Sequence, residues 1–285
     1  MGGIGNQLFQ YAVGRQLCEI LDCGLEINLD WFQHDSNRRP VFEDFSHPGK
    51  RTTSGNSRGR LEHLSNRIRS RFGDRPASHV DAALRIYREK PRQFDPDVLQ
   101  QPVGTSLRGY FQSPKYFDDI QERVRSEVTD LTKPSPSFNA LEAELSHDDS
   151  WAALHVRLGD YRKSENLKHH GLLSSRYYAQ AIKLVLETPD VKRILLFSDQ
   201  PDDARKLLPA DLPIEVFPDT PGLSDLEALL TMSLANAVIM ANSTFSWWAA
   251  FLGDRPSRRV IAPRPWFVSV SIRDLLLPHW ISIGR

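Results

Sequence analysis

The chain has 285 residues, 40% of them hydrophobic, with 36 basic and 36 acidic side chains. That length supports one large domain or two ordinary ones, and the even charge balance gives no whole-molecule argument for a nucleic-acid or polyanionic partner, so any anion site must be local. No apolar run approaches the roughly 18 residues of a membrane span, no signal-peptide pattern opens the chain, and two cysteines, Cys18 and Cys23, are too few for a disulfide framework, so the expectation is a soluble, cytoplasmic protein with reduced thiols, at most peripheral to the inner membrane.

The N-terminus reads Gly2-Gly3-Ile4-Gly5-Asn6-Gln7, followed by apolar residues at helical spacing: Leu8, Phe9, Ala12, Val13, Leu17, Ile20 and Leu21. A glycine loop feeding a helix start lets backbone N–H groups approach a phosphate, and the helix dipole favours its charge. Alone the pattern is weak, because glycine turns before helices are commonly only turns and a phosphate fingerprint needs a strand in front of it. Only Met1 precedes the loop, so a short first strand is expected to be missing from this sequence. LEINL at 25–29 alternates as a strand should. Residues 50–75 shift to Arg, Ser, Asn and Gly, which predicts a weakly ordered insertion. Its basic side chains would suit an anionic membrane surface or nucleic acid, although a solvated insertion is the plainer reading.

Asp95-Pro96-Asp97 has the spacing of a metal-holding carboxylate pair, but a proline-centred turn favours a capping role. SLRGYFQ at 106–112 reads as a strand ending in aromatics, and Pro114 opens one helix through KYFDDIQERVRSEVTDL. Lys133-Pro134-Ser135-Pro136-Ser137 is the interdomain candidate, dividing an α/β domain at 1–135 from a second domain at 136–285.

Beyond it, strands and helices alternate: strand 151–157, helix 174–187, strand 193–197, helix 202–208, strand 214–217, helix 224–235, strand 237–241, helix 244–252 and strand 259–262. This pattern means a doubly wound parallel sheet, with its strand-to-helix turns along one edge. Those turns carry Gly159-Asp160, Ser198-Asp199 and Asn242-Ser243-Thr244. The stretch WAALHVRLGDY at 151–161 puts His155 and Arg157 on one face at the end of a buried strand. An arginine there needs an anion. Two readings stand on this stretch alone: a ligand site, or a structural Arg157–Asp160 ion pair beside a satisfied core histidine. Ser243 or Thr244 caps the helix at 244–252, Trp247 and Trp248 read as packing, and Asp225 follows Ser224 at a helix start. A sharper role for Asp225 is to accept hydrogen bonds from a planar base edge such as guanine.

GGIGNQLFQYAVGRQL, GYFQSPKYF, HVRLGDY, HGLLSSRYYAQAI, LLFSD, IMANSTFSWWAAFL and VIAPRPWF follow one another in an order and spacing that resembles the bacterial-type α-1,2-fucosyltransferases, glycosyltransferase family 11. The resemblance covers nearly the whole chain outside the Arg-rich stretch. It implies a GT-B-like α/β fold of two Rossmann-type domains, the acceptor side at 1–135 and the GDP-fucose side at 136–285. It also implies inverting transfer of L-fucose from GDP-fucose to the 2-hydroxyl of a galactose-terminated glycan, without a metal ion, a further cofactor or nucleic acid. By the same resemblance Arg157 meets the β-phosphate, His155 lies beside the nucleotide, and Asp225 reads guanine. Asn242, Ser243, Thr244 and Phe245 hold the phosphates and flank the base, Asp199 lies in a donor-facing turn, and Gly3, Gly5 and Asn6 form the loop that closes over the donor. The commoner pattern is HxRRxD, and Leu158 stands here at the second arginine. Strand alternation turns Leu158 away from Arg157, so the loss should be tolerated. Asp160 is the first choice of catalytic base and His170 the second. The alternatives are an α-1,6 or protein O-fucosyltransferase and a non-catalytic binding module; STFSWW and GNQLFQYA favour the α-1,2 group.

Overall fold

The computed structural model describes residues 2–33, 38–46, 49–52, 85–90, 93–148, 150–159, 161, 164–188, 190–269 and 274–285, with 164–166 as backbone only. Asp160 and nearly all of the Arg-rich stretch lie outside the described residues. The chain divides into two compact units, Met1–Thr132 and Lys133–Arg285.

The first unit is built on α1 (Ile4–Leu21), whose buried residues occupy most of its circumference. Strand β1 (Glu26–Asn28) pairs in parallel with β2 (Lys50–Thr52), and β3 (Ile86–Arg88) pairs in parallel with β4 (Ser106–Arg108). Phe9 meets Phe117 at 6.2 Å between ring centroids, and Tyr11 packs edge-on against Phe45 at 5.3 Å. The Arg15 guanidinium donates to both Glu127 oxygens at 2.9 and 2.8 Å, and Tyr11 Oη donates to the same carboxylate at 2.7 Å. The helix expected from Pro114 arrives in two pieces, a 3-10 helix (Pro114–Ile120) and α2 (Gln121–Thr129), with Phe117 non-helical at φ −142° and ψ 31°. The break sends two adjacent rings into different clusters: Tyr116 joins Phe94 and Phe111, while Phe117 reaches Phe9. Asp95 caps the 3-10 helix Pro96–Gln100 and accepts from Asp97 N, which is the capping role expected of it.

The second unit begins with α3 (Pro136–Leu145) and carries six strands: β5 (Trp151–Val156), β6 (Arg193–Ser198), β7 (Ile214–Val216), β8 (Ala237–Ile239), β9 (Arg259–Arg264) and β10 (Ile281–Gly284). All pairings are parallel, in the order β10-β9-β8-β5-β6-β7. Helices α4 (Ser164–His169), α5 (Ser175–Leu186), α6 (Pro201–Arg205), α7 (Asp225–Ser233) and α8 (Thr244–Leu252) connect them. The α/β class is as expected, and the GT-B-like assignment is consistent with it. Every residue of β5 is buried, as a strand covered on both faces requires. Ala152, Leu154, Val156 and Leu158 enter one core cluster, so the alternation continues past the strand end and Leu158 does turn away from Arg157. Both tryptophans of α8 are fully buried, and Trp247 Nε1 donates to Leu275 O at 2.8 Å. Helix α4 occupies a stretch read as polar loop, and the edge strand β10 was not foreseen.

One buried cation ties two helix ends together. Arg258 Nη1 donates to Ala249 O and Ala250 O at 3.2 and 3.3 Å, and its Nη2 donates to Met232 O at 3.2 Å. These carbonyls close α7 and α8, where a helix leaves acceptors unsatisfied and its dipole favours a cation. Burial pushes the guanidinium down to about 9. Gly253 leaves the space, because a Cβ there would collide with Arg258 Nη1 and Ser233 O. We expect Arg258→Met to cost about 3 kcal/mol, seen as a lower urea midpoint with an unchanged slope. A variant as stable as wild type would remove this role.

Candidate functional site

In the second unit, the chain passes from β5 to β6 on one side and later returns to β8 on the other. The carboxyl ends of β5 and β8 therefore flank a topological switch point, where open parallel sheets bind ligands. There β5 delivers His155 and Arg157, and β8 leads through Asn242 and Ser243 into α8.

Asp199, just past β6, holds the turn that leaves β5. Its Oδ1 accepts from Leu158 N at 3.0 Å, its Oδ2 accepts from Gly159 N at 2.9 Å, and Arg157 Nη1 lies 3.2 Å from the same Oδ2. Gly159 is required for this approach, since a Cβ would collide with Oδ2. The carboxylate expected among the ligand groups thus serves the turn and the arginine, and among the described residues it is an acidic partner of Arg157, whereas the Arg157–Asp160 pair considered from the sequence falls outside the described residues. The Arg157 side chain is 30% exposed, and an ion pair in that setting contributes roughly 1 kcal/mol or less. Its effect is orientation.

His155 is 4% exposed, and its Nδ1 has no hydrogen-bond partner among the described residues. It is a core histidine, as the plainer reading had it, but not a satisfied one. Its ring lies against Phe245 at 5.3 Å. Burial first, and then the charge of Arg157, push its pKa down to about 3, so the imidazole is neutral at ordinary pH. His155 therefore brings hydrogen-bonding capacity beside a cation and adds no second charge.

On the β8 side, Ser243 caps α8 by accepting from Phe245 N at 3.3 Å, and Thr244 opens the helix half-buried. Asn242 is spent differently from expectation. Its Nδ2 donates to His170 O at 2.8 Å, Trp266 O at 3.3 Å and Gly171 O at 3.4 Å, tying two neighbouring loops to the end of β8. Tyr161 Oη donates to Asn242 O at 3.0 Å, and its ring stacks on His170 at 4.4 Å. The Arg157 guanidinium carbon lies 6.0 Å from the same ring. Arg157, Tyr161 and His170 thus form one row, and Tyr161 had no sequence signal beyond following the turn. Asp225 stands exposed in the first turn of α7. Glu227 completes the capping box there, accepting from Ser224 N at 2.7 Å and from Ser135 N at 2.6 Å.

In the first unit, the glycine loop is shorter than expected. Helix α1 already begins at Ile4, so Gly5 and Asn6 are helical, and the N–H groups of Asn6 and Gln7 donate to Gly3 O at 3.0 and 3.1 Å. Gln7 enforces this start, donating from Nε2 to Gly2 O and Arg39 O and accepting from Val41 N through Oε1 at 2.8 Å. Gln112 Nε2 donates to Asn6 Oδ1 at 2.8 Å, and Arg38, which the sequence did not single out, lies so close that a Cβ on Gly3 would sit 2.7 Å from its Nη1.

A parallel sheet with a fixed cation and a helix N-terminus at its switch point is an architecture for holding an anionic ligand. Residues 92–284 match the model of Glycosyl transferase family 11; the chain belongs to that family and is a glycosyltransferase. Two Escherichia coli proteins align end to end with it. The O-antigen biosynthesis glycosyltransferase WbnK is 25% identical over 99% of this chain and 98% of its own, and an alpha-1,2-colitosyltransferase is 26% identical over 100% and 97%. Among solved structures, the fucosyltransferase NodZ from Bradyrhizobium shows 17% identity over 88% of this chain and 89% of that one, with a TM-score of 0.49.

The neutral histidine makes a pH prediction. The folded-state pKa of His155 falls from 6.5 to about 3, so as pH drops the unfolded chain takes up this proton first. The stability it leaves intact above pH 6.5 is lost between 6.5 and 3, at up to roughly 1.4 kcal/mol per pH unit. His155→Phe should flatten the acid limb of unfolding free energy against pH over that window. Parallel curves for the two proteins would contradict the assignment.

Proposed function

We propose that the protein is an inverting, metal-independent α-1,2-fucosyltransferase that moves L-fucose from GDP-fucose to the 2-hydroxyl of an acceptor sugar, galactose at the end of a glycan being the first candidate. The observation that carries this reading is Arg157, oriented by Asp199 at the switch point beside the start of α8. Departure of GDP develops negative charge on the β-phosphate, and a charge-assisted hydrogen bond from Arg157 that strengthens as the charge grows stabilises the transition state by roughly 1.5 to 3 kcal/mol. Ser243 and Thr244 at the α8 N-terminus offer hydroxyl and N–H groups to a phosphate oxygen, Phe245 flanks the base, and exposed Asp225 accepts from guanine. The buried, unbonded His155 Nδ1 gives a neutral hydrogen-bonding position under the donor.

The acceptor hydroxyl must lose a proton. Asp160 is the first choice of base, and His170 the second, at the far end of the row that starts at Arg157. The α-1,2 linkage is supported over α-1,6 by the E. coli alpha-1,2-colitosyltransferase, and a part in O-antigen biosynthesis is supported by the E. coli O-antigen biosynthesis glycosyltransferase.

The test is transfer from GDP-fucose to a panel of galactose-terminated acceptors, with an activated colitose donor run in parallel because a relative transfers that sugar. Arg157→Ala should lower turnover about 100-fold or more while thermal unfolding stays that of a folded protein. Wild-type turnover by this variant would sink the phosphate assignment, and colitose transfer without fucose transfer would replace the donor. A chelator should leave the rate unchanged; inhibition reversed by manganese would overturn the metal-free reading.

A further inference from the structure

Helix α1 ends in a turn that brings the two cysteines of the chain together. Asp22 takes the left-handed conformation at φ 47° and ψ 54°, and the N–H of Cys23 donates to Cys18 O at 3.1 Å. That bond, spanning the left-handed residue, marks a Schellman turn, in which the residue just past the turn lays its side chain on the residue whose carbonyl it bonds. Here both residues are cysteines.

The segment beyond the turn keeps the same line. Gly14 and Cys18 stand one helical turn apart on one face of α1, and a Cβ on Gly14 would lie 2.8 Å from Leu25 Cδ1. The returning chain therefore passes Cys18 at Cys23 and Gly14 at Leu25 before it enters β1. The two side chains meet as this path requires, and the thiols of Cys18 and Cys23 share a hydrogen bond. Burial first, and then that bond, push the Cys18 thiol up to about 11, with Arg15 acting in the opposite direction. Cys18 is thus a buried, protonated thiol, whereas Cys23 is only half-buried and open to a reagent.

We propose that Cys18 and Cys23 are a paired-thiol modification site, which a low-molecular-weight disulfide such as glutathione disulfide closes into an intramolecular Cys18–Cys23 disulfide. The Cys23 sulfur attacks one sulfur of the reagent, the reagent's S–S bond breaks, and one glutathione leaves with the proton that Cys23 loses. The Cys18 sulfur then attacks the Cys23 sulfur of the mixed disulfide, and the second glutathione leaves with the Cys18 proton. Two protein thiols are oxidised and one reagent disulfide is reduced to two thiols. Exposure sets the order of the steps, and the second is the slower because little of Cys18 is thiolate. The closed form staples the end of α1 to the segment that leads into β1. No step involves the groups at the switch point of the second unit.

The test exposes the folded protein to glutathione disulfide and reads peptide masses and amide hydrogen exchange. No Lys or Arg lies between Gln16 and Asn37, so trypsin keeps both cysteines in the peptide 16–38. At completion that peptide should have lost two hydrogens and carry no glutathione, and the Cys23 amide should exchange about tenfold more slowly than in the reduced protein. Cys18→Ser should stop at a mixed disulfide on Cys23, and Cys23→Ser should take up glutathione roughly tenfold more slowly than wild type, or slower still. A wild-type protein that stops at the mixed disulfide, that pairs its cysteines only between two copies, or that closes the bond only after unfolding in urea overturns the proposal. Uptake by Cys23→Ser as fast as by wild type overturns it as well.

Discussion

The candidate site depends on one carboxylate. Asp199 collects the N–H groups of Leu158 and Gly159 and the guanidinium of Arg157, so the chain leaves β5 in a single defined turn. An arginine loses about 2 kcal/mol of rotamer entropy when it is fixed. Here that cost falls on the folded protein and not on a later binding step, which is what pre-organisation means for a site that must meet charge as it develops. The ion pair itself is too exposed to matter much for stability. Its geometric consequence is larger: Leu158 is left to enter the core, Gly159 to clear the carboxylate, and Arg157 to face the crevice.

The edge of the sheet around this turn is held by buried polar side chains that bond main-chain carbonyls. Tyr177 Oη donates to Met240 O at 2.7 Å, Tyr161 Oη to Asn242 O, and Asn242 Nδ2 to the carbonyls of His170, Gly171 and Trp266. The two tyrosines satisfy carbonyls just past the end of β8, Asn242 satisfies carbonyls in the loop after α4 and in the turn after β9, and each links segments distant in sequence. The crevice is therefore lined by short turns fastened to a parallel sheet. Arg258 does the same for the helix ends away from it, so α7 and α8 are fixed at their C-termini by one side chain while their N-termini stand at the ligand edge.

What could be read from the sequence is local. The helix at 244–252 has the observed bounds because Ser243 supplies the cap and an apolar run follows, and alternation carried the facing of His155, Arg157 and Leu158 correctly beyond the strand. The parallel doubly wound sheet followed from the alternation of elements. What escaped depends on contacts between residues far apart in the chain. Asp199 lies 41 positions from Leu158, and nothing near Ser198-Asp199 marks the carboxylate as the clamp of that turn. Asn242 looked like part of a phosphate motif because its neighbours Ser243 and Thr244 do, yet its amide reaches residues 72 and 24 positions away. The early start of α1 has the same origin, since Gln7 is locked by Arg39 and Val41. The break at Phe117 answers to two aromatic clusters that no window along the chain contains.

His155 and Arg157 share a face but not a charge state, and the difference follows from burial. Both are basic and two residues apart, but the imidazole is enclosed and can release its proton, whereas the guanidinium keeps its charge and reaches partly into solvent. Among the described residues the end of β5 thus presents the positive charge of Arg157, partly balanced by Asp199, beside a neutral imidazole whose Nδ1 has no hydrogen-bond partner. Two cations at that spacing would hold a diphosphate strongly before any bond broke, which lowers the ground state along with the transition state and gains no rate in the chemical step. One cation against a carboxylate holds the resting donor less tightly and interacts more strongly as the leaving group acquires charge. In the proposed transfer, the neutrality of His155 is therefore as much a part of the catalytic arrangement as the charge of Arg157.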